Sequence, residues 1–295
     1  AEMLIRRGFK DSTSASAFLD PDQYQPASPY EFPGMDRAVD RLVKAIQSAE
    51  TICVWGDFDV DGQTATSLLV SALQDLGARV VYHIPVRELE SHGIKIPFLA
   101  QVLEGKTGAA LGGQPGWGSV SLLLTCDCGV SAHQAIEYAR ERGVETIVTD
   151  HHELPDELPT PFVILNPRLL PDGHRLFGLP GVGVAYKLVQ ALYERLSRQL
   201  ESHQFLDLVA LGIVADVAPQ QLDTRYLLQR GLVALRQTRR AGLLAILELA
   251  ELESGLVNEE HIGFELAPRL NALGRLGDAN PAVELLTTTD LGKAR

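Results

Sequence analysis

The chain has 295 residues, enough for one large domain or two smaller ones, and its 45% hydrophobic and 22% charged residues are typical of a globular protein. The net charge of −12 argues against a protein that coats nucleic acid through bulk positive charge. Binding a polyanionic ligand would require metal ions or arginines at the binding site to offset the negative charge. There is no long apolar run and no secretion signal, and the three cysteines are too few for a disulfide framework, so we expect a cytoplasmic protein without membrane contact.

The N-terminal part is predicted to be an arm followed by a helix. Residues 11–34 are rich in Ser, Pro, Asp and Tyr without a clean period, which is typical of an extended arm on the surface. The apolar spacing over 35–49 predicts a helix. We therefore treat residues 1–50 as an N-terminal arm and helix.

Strands and helices alternate in the middle of the chain. Apolar, β-branched runs predict strands over 51–55, 79–84, 120–126, 145–149 and 162–165, separated by helical patterns over 63–76, 95–104 and 131–142. The glycine-rich stretch 105–118 is typical of a flexible surface loop. This alternation predicts an α/β fold with a mostly parallel sheet flanked by helices.

The pattern changes beyond about residue 180. Helical spacing recurs over 183–200, 203–214, 223–237 and 241–252, with no convincing strand. The α/β part is therefore expected to be followed by a helical region.

Three predicted strands end in acidic or imidazole side chains. These are Asp57, Asp59 and Asp61 after the first strand, Asp127 after the third, and Asp150, His151 and His152 after the fourth. Parallel sheets bind ligands at the carboxyl ends of their strands, and adjacent strands are ~5 Å apart, so these side chains can meet in one cluster. Clustered carboxylates repel each other unless cations lie between them.

Other interpretations of the first acidic turn, without a catalytic role, stay open. It could be an acidic surface turn, with Asp61 serving as a helix N-cap. An EF-hand loop is a weak alternative, because Leu68 stands where that loop requires a glutamate and because a strand precedes the turn.

The paired histidines are the sharper signal. Imidazoles with carboxylates and no thiolate suit Mn²⁺, Fe²⁺ or Zn²⁺, whereas carboxylates and water alone suit Mg²⁺. Strand alternation is expected to send Cys126 and Cys128 away from the side that Asp127 faces, so we predict core residues rather than zinc ligands.

Several later residues are further candidates. Asp216 follows an apolar helical run, where it is either a helix-terminal surface residue or a metal-bound charge. Gly181 and Gly183 open a predicted helix whose N-terminus could bind an anion, with Lys187 adding charge one turn later or lying on a solvated face. A loop over 267–275 carries arginines that could hold phosphates or be ordinary surface charges: Arg269 and Arg275.

These motifs together resemble the DHH phosphoesterase superfamily. The resemblance rests on residues 57–62 (DFDVDG), Asp127, 150–152 (DHH) and Asp216. Within the superfamily the chain is most similar to the RecJ family of bacterial single-strand-specific exonucleases, as indicated by 181–185 (GVGVA), 211–216 (LGIVAD) and 264–276. The resemblance runs from about residue 30 to the end of the sequence.

The resemblance implies a catalytic centre and its ligands. It places seven residues around one or two divalent ions, with Mn²⁺ preferred and Mg²⁺ possible: Asp57, Asp59, Asp61, Asp127, His151, His152 and Asp216. It implies that Arg269, Asn271 and Arg275 hold the strand near the scissile phosphate. The implied activity is 5′→3′ hydrolysis of single-stranded DNA in repair and recombination, by a monomer with a helicase or a single-strand-binding protein as partner.

The implied domain organisation is a DHH-type catalytic domain over 51–217, completed by a helical segment over 218–295 that leads to a second domain beyond this sequence. One departure is His92-Gly93, where RecJ-like chains usually have Tyr-Gly; we expect His92 to be a loop residue. Two alternatives stay open: an enzyme of the same superfamily that acts on short oligonucleotides or cyclic dinucleotides, and an inactive scaffold for replication.

Overall fold

The computed structural model describes residues 2–106 and 119–295, and a parallel sheet is its central element. The strands are β1 (Thr51–Trp55), β2 (Arg79–His83), β3 (Leu122–Cys126), β4 (Glu145–Thr149) and β5 (Val163–Leu165). Their order is β2-β1-β3-β4-β5, and every neighbouring pair is parallel. The predicted α/β fold is confirmed.

Helices cover both faces of this sheet. The helices of the first part are α1 (Glu2–Arg6), α2 (Ser12–Leu19), α3 (Met35–Gln47), α4 (Val60–Asp75), α5 (Arg87–Glu90), α6 (Ile96–Leu103) and α7 (His133–Arg140). Ile52 and Val54 of β1 face one apolar core, while Cys53 and Trp55 face the other. Burial on both faces explains why the strands are continuously apolar.

The predicted helical region is also confirmed. It contains α8 (Gly181–Arg195), α9 (Leu206–Ala215), α10 (Leu222–Arg236), α11 (Ala241–Leu249), α12 (Glu259–His261), α13 (Ala267–Leu276), α14 (Asn280–Thr287) and α15 (Leu291–Ala294), with a π-helix at Ile262–Leu266 between α12 and α13. No helix of the described chain has the length and apolar character needed to cross a bilayer. The predicted glycine-rich loop lies, over 107–118, outside the described residues.

The predicted N-terminal arm is wrong. Residues 11–34 form α2 and two 3₁₀ turns, and Phe32 is buried. Asp11 caps α2 by accepting a hydrogen bond from Ser14 N at 2.7 Å, and Ser28 with Glu31 forms a capping box. The Ser, Pro and Asp residues that suggested an arm are therefore caps and turn residues.

The helix predicted over 63–76 begins earlier, at Val60. Its N-cap is Asp59, whose Oδ1 accepts a hydrogen bond from Gly62 N at 3.0 Å. Asp61 thus lies in the first turn of α4 and is not the cap. Asp57 and Asp59 precede this helix, so the three aspartates lie in different local structures.

The strand order creates a crevice at the carboxyl ends of β1 and β3. The chain leaves β1 for β2 on one side and later returns to form β3 on the other side. Such a switch in direction opens a cleft between the loops that follow the two strands. The turns that carry Asp57 and Asp127 therefore flank this cleft.

Candidate metal centre

Side chains from three strand ends and the end of α9 converge in the cleft. In each of two groups of side chains, all potential ligand atoms lie within 4.8 Å of one another. One group is Asp127, His151 and His152, and the other is Asp61, His151 and Asp216. His151 belongs to both, with its Nε2 3.1 Å from Asp127 Oδ1 and 3.8 Å from Asp61 Oδ2. The structure thus brings together most of the residues predicted to bind metal.

Asp127 is the most constrained of these ligands. It follows β3 in the left-handed region (φ 59°), and its backbone N–H donates to Thr149 O at the end of β4. Its side chain is buried, and Oδ1 accepts no well-aligned hydrogen bond from the described residues, although His151 Nε2 lies 3.1 Å away. A buried carboxylate oxygen without a well-aligned donor is costly unless a cation compensates it, so this site fits a divalent ion.

Asp61 is held by the N-terminus of α8. Its two carboxylate oxygens accept hydrogen bonds from Gly181 N at 2.6 Å and Val182 N at 2.8 Å. A Cβ on Gly181 would lie 2.5 Å from Asp127 Oδ1, so only glycine permits this approach. The N-terminus of α8 was predicted to bind a substrate anion, but it binds the carboxylate of Asp61 instead. Gly181 and Gly183 are buried and serve close packing.

The predicted contact between Lys187 and the substrate is wrong. Its ammonium group is fully buried, 2.9 Å from Asp223 Oδ2 and 2.8 Å from the carbonyl oxygen of Ala27. Tyr24 OH and Ala27 N donate to the same carboxylate. Lys187 therefore ties the N-terminal segment to α8 and α10.

Asp150 orients the two histidines. Its Oδ1 accepts hydrogen bonds from His151 N, His152 N and His152 Nδ1, the last at 2.7 Å. Its Oδ2 accepts one from Val130 N at 2.8 Å. Burial opposes its ionisation, but the hydrogen bond from His152 keeps the pKa of Asp150 below its usual value. The sequence placed Asp150 beside the site, and only the structure shows this positioning role.

The two histidines differ in charge. Burial and the charge of His152 lower the pKa of His151 to about 4, so His151 is the neutral imidazole that a metal ligand must be. The hydrogen bond to Asp150 raises the pKa of His152 to about 9. The half-exposed His152 ring is therefore cationic at neutral pH and suits a phosphate oxygen.

The carboxylates of the cluster resist ionisation. Burial, reinforced by neighbouring carboxylates, raises the pKa of Asp57, Asp61 and Asp127, and it raises the pKa of Asp216 to about 6. The charge of Asp59 contributes to the shift at Asp216, so the exposed Asp59 lies within electrostatic range of the centre. Divalent cations would relieve this repulsion.

The predicted arginine-bearing loop over 267–275 is instead α13, because Pro268 suits the first turn of a helix. The helix packs on the acidic turn: Asn271 Oδ1 accepts from Val60 N at 3.2 Å, so this amide holds the two elements together. Arg269 is exposed and forms an ion pair with Glu265 at 2.7 Å. Arg275 is exposed as well.

His92 is a loop residue as expected, and its loop, between α5 and α6, lies beside the centre. Its ring is tilted against that of Phe58, which stands between Asp57 and Asp59 in the sequence, with ring centroids 4.8 Å apart. The guanidinium of Arg87 lies 5.2 Å from the same Phe58 ring. Sequence reasoning missed Phe58 and Arg87, although Phe58 stands inside the acidic motif.

Comparisons with known proteins show what this chain is similar to. Residues 51–213 match the DHH family, N-terminal domain. The chain is 38% identical over 290 residues to the single-stranded-DNA-specific exonuclease RecJ of Bacillus subtilis strain 168, covering 98% of this chain and 35% of that protein. For the protein of the same name from Escherichia coli K12, identity is 37%, over 89% of this chain and 45% of the relative. The chain thus spans about a third to a half of these relatives.

Solved structures show the same fold. The crystal structure of exonuclease RecJ bound to manganese superposes with a TM-score of 0.80 and 34% identity, covering 91% of this chain and 64% of that one. The structure of RecJ in complex with Mn²⁺ from Thermus thermophilus gives a TM-score of 0.77 and 32% identity, covering 96% of this chain and 40% of that one.

Proposed function

The chain belongs to the DHH family, and on that premise we propose that it carries the catalytic centre of a metal-dependent exonuclease that hydrolyses phosphodiester bonds of single-stranded DNA. The observation that carries the proposal is the buried oxygen of Asp127, which accepts no well-aligned hydrogen bond, beside a neutral His151 and the carboxylates of Asp61 and Asp216. The relatives named above as RecJ exonucleases support the substrate class.

Asp61, Asp127, His151 and Asp216 would hold Mn²⁺ or Mg²⁺, with Asp57 and Asp59 completing the set. Bound there, such ions activate a water and offset the charge of the reacting phosphate. Mn²⁺ is the better match to a site that contains imidazole. Solved relatives bound to manganese and to magnesium support both ions.

The surrounding side chains suit a single strand. His152, held by Asp150, can donate from its second ring nitrogen to a phosphate oxygen. Arg269 and Arg275 on α13 offer exposed guanidinium groups for the backbone. The exposed His92 ring, which packs against the buried Phe58, offers an aromatic surface for a base.

The finer features of the function rest on the sequence resemblance to the RecJ family and stay proposals. They are 5′→3′ polarity, a role in DNA repair and recombination, a cytoplasmic location, a monomeric state and a helicase or single-strand-binding protein as partner. The proposed catalytic domain is 51–217, completed by the segment 218–295. The proposed ligands of the metal centre are all retained, which disfavours an inactive replication scaffold.

The test uses single-stranded DNA labelled at either end, with Mn²⁺, Mg²⁺ or a chelator. We expect Mn²⁺-dependent release of nucleotides from long strands, with the 5′ label lost first. Asp127→Ala and His151→Ala should abolish it, while Asp172→Asn, a change of an exposed aspartate outside the cluster, should not. Activity that survives in Asp127→Ala or in chelator would refute the proposal, and a preference for strands of a few nucleotides would favour the oligonucleotide alternative.

A further inference from the structure

A second cavity, of about 620 Å³, lies between the N-terminal segment and α10. Its lining includes Arg7, Phe9, Phe18, Tyr24, Gln220, Arg225 and Tyr226. None of the described residues that line it is acidic, although the chain has 38 acidic residues against 26 basic ones. None of the proposed metal ligands lines it either.

The two lining arginines have uncommitted hydrogen-bond donors. Arg225 donates from Nε to the carbonyl oxygen of Phe18 at 2.7 Å, and its guanidinium lies 3.8 Å from the centroid of the Phe18 ring. Its remaining N–H groups have no hydrogen-bond acceptor among the described residues, although Glu259 influences it electrostatically from beyond ion-pair distance. The exposed Arg7 likewise has no ion-pair partner in the described chain.

Burial and the charge of Arg7 both lower the pKa of Arg225, so the two cations lie within electrostatic range of each other. Like charges that face one cavity repel unless an anion lies between them. An anionic ligand there would therefore be stabilised by both guanidinium groups.

Aromatic rings and amides complete the cavity wall. The rings of Phe9 and Phe18 lie 4.7 Å apart, and those of Tyr24 and Tyr226 lie 5.6 Å apart. All four rings are only partly buried, so their edges or faces remain available. The buried Oε1 of Gln220 has no donor among the described residues. A flat heterocycle with amino groups would stack on such rings and supply such a donor.

We propose that this cavity is a nucleotide-binding site separate from the metal centre. The base contacts the aromatic rings, and the phosphate lies between Arg7 and Arg225. The volume falls in the range of small-ligand pockets, which favours a single nucleotide over an extended acidic peptide. The nucleotide is either free or one unit of a bound strand, and the experiment distinguishes the two sources.

The test measures binding of dAMP to the full chain by calorimetry in the presence of a chelator, which keeps cations out of the metal centre. Arg7→Gln is the variant and Arg6→Gln the matched control, because Arg6 is adjacent, also exposed and not part of the lining. We expect Arg7→Gln to weaken dAMP binding by about tenfold, as loss of a charged phosphate contact does, and Arg6→Gln to leave it unchanged. Deoxyadenosine, without the phosphate, should bind equally weakly to all three proteins.

A short oligothymidylate distinguishes the sources. If Arg7→Gln weakens its binding as it weakens that of dAMP, the site holds a unit of a strand; if only dAMP responds, the site holds free nucleotides. The proposal is overturned if dAMP does not bind in chelator, if Arg6→Gln and Arg7→Gln behave alike, or if a tetra-aspartate peptide and not dAMP responds to Arg7→Gln.

Discussion

At the scale of single residues, the buried carboxylates of the centre repel one another. Asp61 and Asp127 are buried with raised pKa values, and Asp216 titrates at about 6 instead of 3.8. A raised carboxyl pKa means that the folded protein binds protons that the unfolded chain has already released. The contribution of these carboxyl groups to the stability of the cation-free protein therefore falls as the pH rises above 3.8, and for Asp216 this fall is complete above about 6.

Asp127→Asn tests the repulsion between these carboxylates, because it removes a buried charge while keeping the shape of the side chain. In chelator at pH 7 we expect the free energy of unfolding to rise by about 1–3 kcal/mol, with a smaller gain at pH 4, where the wild-type carboxyl group is protonated. The variant should also lose stabilisation by Mn²⁺. Urea denaturation at both pH values measures this, with Asp172→Asn as control; a less stable Asp127→Asn protein at pH 7 in chelator would contradict it.

Arg269→Gln tests the proposed contact of α13 with the strand. Its exposed ion pair with Glu265 contributes at most about 1 kcal/mol, so the fold should tolerate the change. We expect binding of single-stranded DNA to weaken by about tenfold through loss of a phosphate contact. Arg140→Gln is the matched control, since Arg140 forms a similar exposed helical pair with Glu137. Equal DNA affinity of the two variants would exclude Arg269 from the binding surface.

At the scale of elements, a buried ion pair joins the N-terminal segment to α8 and α10. Lys187 and Asp223 are both fully buried and share Ala27 as a backbone partner. Burial lowers the pKa of Lys187, and Asp223 opposes that effect. This pair explains why residues 11–34 pack on the helices and do not extend as an arm.

Lys187→Met leaves the Asp223 carboxylate buried without its counter-ion. We expect a loss of about 3–5 kcal/mol in the free energy of unfolding, with the N-terminal segment more open to proteolysis. Lys44→Met, at an exposed position on α3, is the control for losing a lysine. Urea denaturation compares the two, and equal stabilities would show that the pair does not anchor the segment.

At the scale of the whole molecule, the proposed function requires an acidic protein to accept a polyanion. With a net charge of −12, the cation-free chain should repel DNA, so we expect metal binding to increase both stability and DNA affinity. Mn²⁺ at about 100 times its Kd should stabilise the protein by about 2.7 kcal/mol and strengthen DNA binding. Thermal unfolding and DNA titration, each in Mn²⁺ and in chelator, measure both effects. The Asp127→Ala/His151→Ala double variant should show neither, and a wild-type protein indifferent to Mn²⁺ would contradict the prediction.

Local sequence determined the sheet, most of the helices and the acidic strand ends. Apolar runs of strand length and helical spacing are short-range signals, and parallel strands necessarily bring their carboxyl ends to one edge. This is why local sequence alone sufficed to predict that Asp127 and His151 lie together. The conclusion about Cys126 and Cys128 also held, since both are buried, although they enter different cores because the strand ends between them.

Only the tertiary structure decided how charges far apart in the chain are paired. Asp61 accepts from Gly181, 120 positions away, and Lys187 donates to Ala27, 160 positions away. A lysine or a helix N-terminus looks the same in sequence whether it faces solvent, substrate or a buried carboxylate. Packing between elements decides which group each lysine or helix N-terminus contacts, and the local sequence pattern does not encode that packing. This is why the N-terminus of α8 binds the carboxylate of Asp61 and not a substrate phosphate.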